Sequence, residues 1–134
     1  MRLVLCNCPP DAADALARLL VERRLAACVN ALPGVRSTYE WQGALCVTEE
    51  TTLLIKTRDD LLDALTAALV EAHPYELPEV IALPITEGHQ PYLEWIIAQT
   101  SGGLRPPPAG VTTPSTSPPP PPAGVSTPST SPTA

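Results

Sequence analysis

The sequence predicts an α+β domain with element order β-α-β-β-α-β, closed by a short helix. Three observations predict it. Short, largely apolar runs recur at residues 3–8, 28–41, 45–57 and 80–85. Two stretches between them carry leucine and alanine at helical spacing instead. The two longest runs are parted only by Gln42-Gly43, a short link that reads as a hairpin turn.

Each element follows from local chemistry. Leu3 to Cys8 is a strand, apolar enough to be central, and Pro9-Pro10 stops it. Asp11 is expected to cap a helix running to about Leu25, with Ala12, Leu16, Leu19 and Leu20 as its apolar stripe. Cys28 to Leu32 is a second strand, interrupted at Pro33-Gly34 and resumed from Val35 to Trp41. There Val35, Ser37, Tyr39 and Trp41 share one face, because strand side chains alternate. The third strand runs from Leu45 to Thr57; its Glu49-Glu50 reads as a solvated charge pair on the hairpin. Asp59 or Asp60 is expected to cap a second helix, which must end near His73 because Pro74 disfavours helix before it. Val80 to Ile85 is the fourth strand, and Pro84 confines it to an edge. Pro91 opens a last helix with Leu93, Ile96 and Ile97 inward. Two β-α-β units around a hairpin make the ferredoxin-like arrangement, an antiparallel sheet with both helices on one face. The long second and third strands leave edges exposed, and a neighbouring subunit is the expected cover.

Composition divides the chain at about residue 100. Residues 101–134 hold 11 of the 18 prolines and one charged side chain, Arg105. PPPAGVTTPSTSP at 106–118 recurs almost unchanged at 120–132. With one branched apolar residue per repeat, this Pro/Ser/Thr-rich tail is expected to be disordered and dispensable to the 1–100 domain. The domain carries seven basic and fourteen acidic side chains, which argues against nucleic acid as a partner. No apolar run reaches the roughly 18–20 residues of a membrane span, and no leader is recognisable. A cytoplasmic protein with four reduced thiols is expected. There is no glycine-rich phosphate loop and no nucleophile elbow, so no enzyme is expected.

The soft metal donors are Met1, Cys6, Cys8, Cys28, Cys46, His73 and His89. Cys6 and Cys8, two apart on a strand, project from the same face. Buried thiols of this kind also serve simply as small apolar packing groups. Lys56, at the end of a buried strand, calls for a carboxylate, and Glu76 and Glu79 are candidates.

Several segments then carry a resemblance. Leu20–Asn30, Pro33-Gly34-Val35, Ser37–Gly43, Leu54-Ile55-Lys56-Thr57, His73–Glu79, Leu83-Pro84-Ile85 and Tyr92–Ile96 resemble, in order and spacing, the CutA divalent-cation-tolerance family. The resemblance spans residues 3–100. It implies a homotrimer joined through sheet edges, with a role linked to copper or another divalent cation. It also implies a trimer similar to the PII-like nitrogen-regulatory signal proteins, so a signalling trimer binding a small metabolite is the alternative reading. In some members copper ligation is assigned to the cysteine of the first strand and to histidine just before the Pro-Tyr pair. Here these are Cys6 and His73, with Cys8 a possible third ligand. Ala72 stands where a second histidine can occur. In the trimeric reading Tyr39, Trp41, Lys56, Tyr75, Glu76 and Trp95 line clefts between subunits, as ligand walls or as interface packing.

Overall fold

The computed structural model describes residues 1–102; the expected tail lies outside them apart from Ser101 and Gly102. Four strands, β1 (Arg2–Cys8), β2 (Cys28–Trp41), β3 (Ala44–Thr57) and β4 (Ile81–Pro84), form one antiparallel sheet in the order β2-β3-β1-β4. Helices α1 (Ala13–Glu22) and α2 (Leu62–Ala72) pack on one face, and α3 (Gln90–Gln99) closes the chain. This is the split β-α-β arrangement expected from the sequence. The core joins Val4, Cys6, Cys8, Leu53 and Ile55 of the sheet to Leu16 and Leu20 of α1 and Leu65 and Leu69 of α2. Each buried leucine or isoleucine contributes roughly 1.5–3 kcal/mol by area.

The expected caps are not formed. A 3-10 turn at Pro10–Ala12 precedes α1 and another at Asp59–Leu61 precedes α2, and neither helix has a side-chain cap. Asp59 instead pairs with the Met1 ammonium at 2.7 Å and with Arg2 at 3.1 Å. Helix α1 stops three residues before Leu25. Arg24 takes a left-handed φ of 60°, its N–H bonds the Val21 carbonyl, and the Leu25 N–H reaches back to Leu20. This is a Schellman motif, whose apolar contact is Leu20 with Leu25. Leu25 continued the helical spacing because it packs in the same core. In α3, Ile96 is buried but Ile97 is 43% exposed.

The long hairpin positions the site. β2 carries one extra residue between Leu32, opposite Thr52, and Val35, opposite Glu50. Gly34, with φ 77°, supplies the conformation this bulge needs. The bulge moves the even-numbered face of early β2 onto odd numbers, so Val35, Ser37, Tyr39 and Trp41 join Cys28, Asn30 and Leu32 on the open face, opposite the helices. Gln42 and Gly43 both have positive φ, 50° and 81°, as a type I′ turn requires.

Candidate functional site

Asn7 sits at the centre of the candidate site. It lies on β1 between Cys6 and Cys8, with its side chain on the open face. Its Oδ1 accepts the Thr52 hydroxyl at 2.6 Å, and its Nδ2 donates to Glu79 at 3.2 Å. Its carbonyl oxygen accepts the His73 ring from Nε2 at 2.8 Å and lies 3.8 Å from the Cys6 sulfur. His73 arrives there because α2 ends at Ala72 and the next residue turns extended, with ψ 137°. The Tyr75 N–H donates to His73 Nδ1 at 3.1 Å. A carbonyl only accepts and an amide N–H only donates, so the imidazole is the neutral Nε2–H tautomer. Burial holds its pKa below the ordinary value, against the opposing effects of the Asn7 bond and Glu50.

The structure therefore brings Cys6 and His73 to one carbonyl, with Cys8 on the same strand face. Both thiols are fully buried. Burial first, then Cys8 and the Glu79 and Glu50 carboxylates, pushes the Cys6 thiol up to about 12, and burial, then Glu50 and Asp11, pushes the Cys8 thiol up to about 11. Cys8 donates to the Thr51 carbonyl at 3.6 Å. The donor types suit a soft cation. Among the described residues, however, no three histidine, cysteine or acidic side chains are grouped so as to hold a metal. As they stand, the thiols are protonated and both ring nitrogens are occupied, so this is not a preassembled metal cage.

Beside it, on the open face, is a cavity of 190 Å³. The hairpin contributes Tyr39, Trp41 and Glu50; the segment after α2 contributes Tyr75, Glu76, Leu77 and Glu79; Asn7 lies between. Glu50, expected in water, is only 5% exposed. The Tyr75 hydroxyl donates to its Oε2 at 2.7 Å. Burial, then Glu50, raises the Tyr75 phenol well above its usual range, and the same two causes raise the Glu79 carboxyl. Tyr39, also raised by burial, lies 3.5 Å from the Thr48 hydroxyl.

Four of the six expected cleft residues, Tyr39, Trp41, Tyr75 and Glu76, thus line one cavity within the chain. Lys56 and Trp95 do not. Lys56 hydrogen-bonds Asn30 Oδ1 and, among the described residues, pairs with no carboxylate. That pair is diagonal on the open face, six residues along β3 from Glu50, which lies mid-strand. Trp95 is on α3, stacked on Tyr92 with ring centroids 5.5 Å apart. Glu50 was the residue missed. It shares its face of β3 with Cys46 and Thr48, both buried, and nothing in the strand's own pattern marks that face as covered.

Fold and site together define a small split β-α-β domain with an aromatic, acidic cavity on one face of β1, two buried thiols on the other, and a histidine hydrogen-bonded to the strand between them. The model of the CutA1 divalent ion tolerance protein family matches residues 2–99, and the chain belongs to that family. It is 52% identical over 91 residues to the CutA homolog of Xenopus laevis, a match covering 67% of this chain and 60% of that protein. The divalent-cation tolerance protein CutA of Thermus thermophilus is 43% identical over 99 residues, covering 73% of this chain and 96% of that one. Among solved structures, the PII-like protein CutA from Nostoc sp. PCC 7120 in apo form superposes with a TM-score of 0.71 at 36% identity. That match covers 75% of this chain and 97% of the Nostoc chain. Among the described residues no helix is long and apolar enough to cross a membrane.

Proposed function

We propose that the chain is a non-enzymatic, homotrimeric protein of the divalent-cation response that takes up copper, or another divalent metal, through Cys6 and His73 with Cys8 as third donor. The observation that carries the reading is the convergence of Cys6 and His73 on the Asn7 carbonyl. Uptake requires the thiols to lose their protons and His73 to release a ring nitrogen. Affinity therefore falls as pH falls. Thiolate is soft, so cuprous ion is held better than zinc. Calorimetric titration under reducing conditions tests this. Equal copper binding by wild type and Cys6→Ala/His73→Ala would sink the assignment.

The trimer is supported by apolar side chains left in water: Leu32, Ile81 and Leu83 on the open face, and Leu45 and Val47 on the hairpin. Light scattering is expected to give three times the 14.1 kDa chain mass. Four free cysteines suit a reducing, cytoplasmic setting.

A second reading is a signalling trimer whose cavity takes a small metabolite and reports it to a protein partner. The aromatic and carboxylate lining of the 190 Å³ cavity favours it. A thermal-shift screen with metabolites separates the two readings, since Cys6→Ala/His73→Ala should leave a cavity ligand's shift in place.

A further inference from the structure

We propose that the open face docks on a second copy of this chain with Lys56 paired to Glu76 of the partner subunit. This deepens the homotrimer reading and rests on it, because it names the residue each copy lends to the next; the metal reading is independent of it.

The open face is complementary in charge to itself. Side chains alternate along a strand, and the strand registers then place two charged residues of the sheet on that face, Glu50 and Lys56, both on β3. The other charged strand residues, Arg2, Arg36, Glu40 and Glu49, have the opposite parity. At the Glu50 end Glu76 and Glu79 add their carboxylates, and no lysine or arginine lines that cavity. Lys56 stands six residues along β3 from Glu50, on the order of 20 Å at ~3.3 Å per residue. There it bonds the neutral Asn30. The lysine and the carboxylates cannot meet within one chain at that separation. They can meet when the face packs against a copy of itself. In a cyclic head-to-tail assembly each chain gives its lysine to one neighbour and its carboxylates to the other.

The surface between the charges is apolar. By register Leu5 stands between Leu54 and Ile81, and Leu3 beside Leu83. Leu3, Leu5 and Leu54 are half-buried in the single chain, and Ile81 and Leu83 are exposed, as is Leu32. A contiguous apolar strip of this kind marks a protein contact. A copy of this chain fits it better than an unrelated partner, since the face already holds both halves of the ion pair. Among the carboxylates, Glu50 is buried under the Tyr75 hydroxyl and Glu79 accepts from Asn7. Glu76 is exposed, which makes it the one a neighbour's lysine reaches. The cavity is then incomplete in one chain and gains its counter-charge from the next.

Charge reversal tests the pairing in the full chain, at ~0.15 M salt so that charges beyond ~8 Å are screened. Light scattering over a dilution series reads the assembly. Lys56→Glu and Glu76→Lys are each expected to raise the half-dissociation concentration at least about tenfold, as loss of a close interfacial charge pair implies. The double variant Lys56→Glu/Glu76→Lys should recover most of that loss, because every interface regains a pair of opposite sign. If a reversal fails to fold, cysteine pairing carries the test. Lys56→Cys/Glu76→Cys in a Cys28→Ser background should oxidise to covalent trimers, and neither single cysteine should. A bridge within one chain is barred, since a disulfide needs Cα atoms within ~7 Å. Single reversals that assemble like wild type, a double variant as weak as the singles, or no covalent trimer would overturn the pairing and leave the trimer standing. A wild-type monomer at micromolar concentration would overturn both.

Discussion

Replacing Tyr75 with phenylalanine removes one oxygen atom and nothing else, which makes it a direct probe of the buried carboxylate. In the wild type the phenol donates to Glu50 Oε2 at 2.7 Å, and Glu50 is 5% exposed. Water cannot readily replace the lost donor. A hydrogen bond to a charged group contributes roughly 1.5–3 kcal/mol, and Tyr75→Phe should lose that much. For a domain of this size each kcal/mol corresponds to roughly 4–8 °C, so the midpoint should fall by at least about 6 °C. Oligomer midpoints depend on concentration, so all variants must be compared at one protein concentration. The double cycle with Glu50→Gln isolates the pair. Tyr75→Phe should cost much less once Glu50 is glutamine. A loss below roughly 0.5 kcal/mol, the size usual for a surface change, would refute the reasoning. So would an undiminished loss in the glutamine background. The same bond has an alkaline signature. The folded phenol is raised, chiefly by burial, while the unfolded one ionises near ~10. Above that pH the folded state holds more protons than the unfolded state, so stability falls as pH rises. Tyr75→Phe should lack this contribution.

Acid should destabilise the protein through His73. Its folded pKa is lowered, chiefly by burial, so below the unfolded value of ~6.5 the unfolded state binds more protons and stability falls as pH falls. Urea midpoints measured across that range should slope less in His73→Gln than in wild type. Cys6 and Cys8 should resist an aqueous thiol reagent near pH ~8 until the protein is denatured, because both are buried and their thiolates disfavoured. Rapid labelling of Cys6 in the native protein would contradict the burial. Gln42 has φ 50°, where a side chain costs roughly 1–2 kcal/mol. Gln42→Asn should raise the urea midpoint, whereas an unchanged or lower midpoint would mean the turn gains nothing from relief of that conformation.

Most of the fold was legible because its signals are local. Pro74 marked the end of α2, Pro84 the edge strand, and Pro33-Gly34 the interruption that became a bulge within a continuous strand. The caps were misread because Asp11 and Asp59 each sit one helix type too early, in 3-10 turns. Glu50 was misread for a different reason. Hydrophobicity along the outer part of β3 runs opposite to burial: Leu45 and Val47 are 58% and 46% exposed, whereas Thr48 and Glu50 are 4% and 5%. The hairpin extends past the helices, so its odd-numbered face has no core to enter. Its even-numbered face meets Tyr39 of the facing strand at Thr48 and Tyr75, from beyond α2, at Glu50, and the cover from beyond α2 is not encoded in the strand's own pattern. The separation of Lys56 and Trp95 from Trp41 was likewise invisible, since it depends on strand register and on where α3 packs.

The bulge at Gly34 also makes the hairpin a lever. From Val35 to Trp41 the strand advances about 20 Å at ~3.3 Å per residue. A change of ~10° in the bend at its root would swing the tip through about 3.5 Å, more than the full length of a hydrogen bond. One wall of the cavity, Tyr39 and Trp41, rides on that lever; Asn7 and Tyr75 belong to the body it swings against. Substitutions at Pro33 or Gly34, which do not line the cavity, would therefore set its width. Within a family sharing this architecture, the aperture can be retuned at the root of the arm while every residue that lines the cavity stays the same.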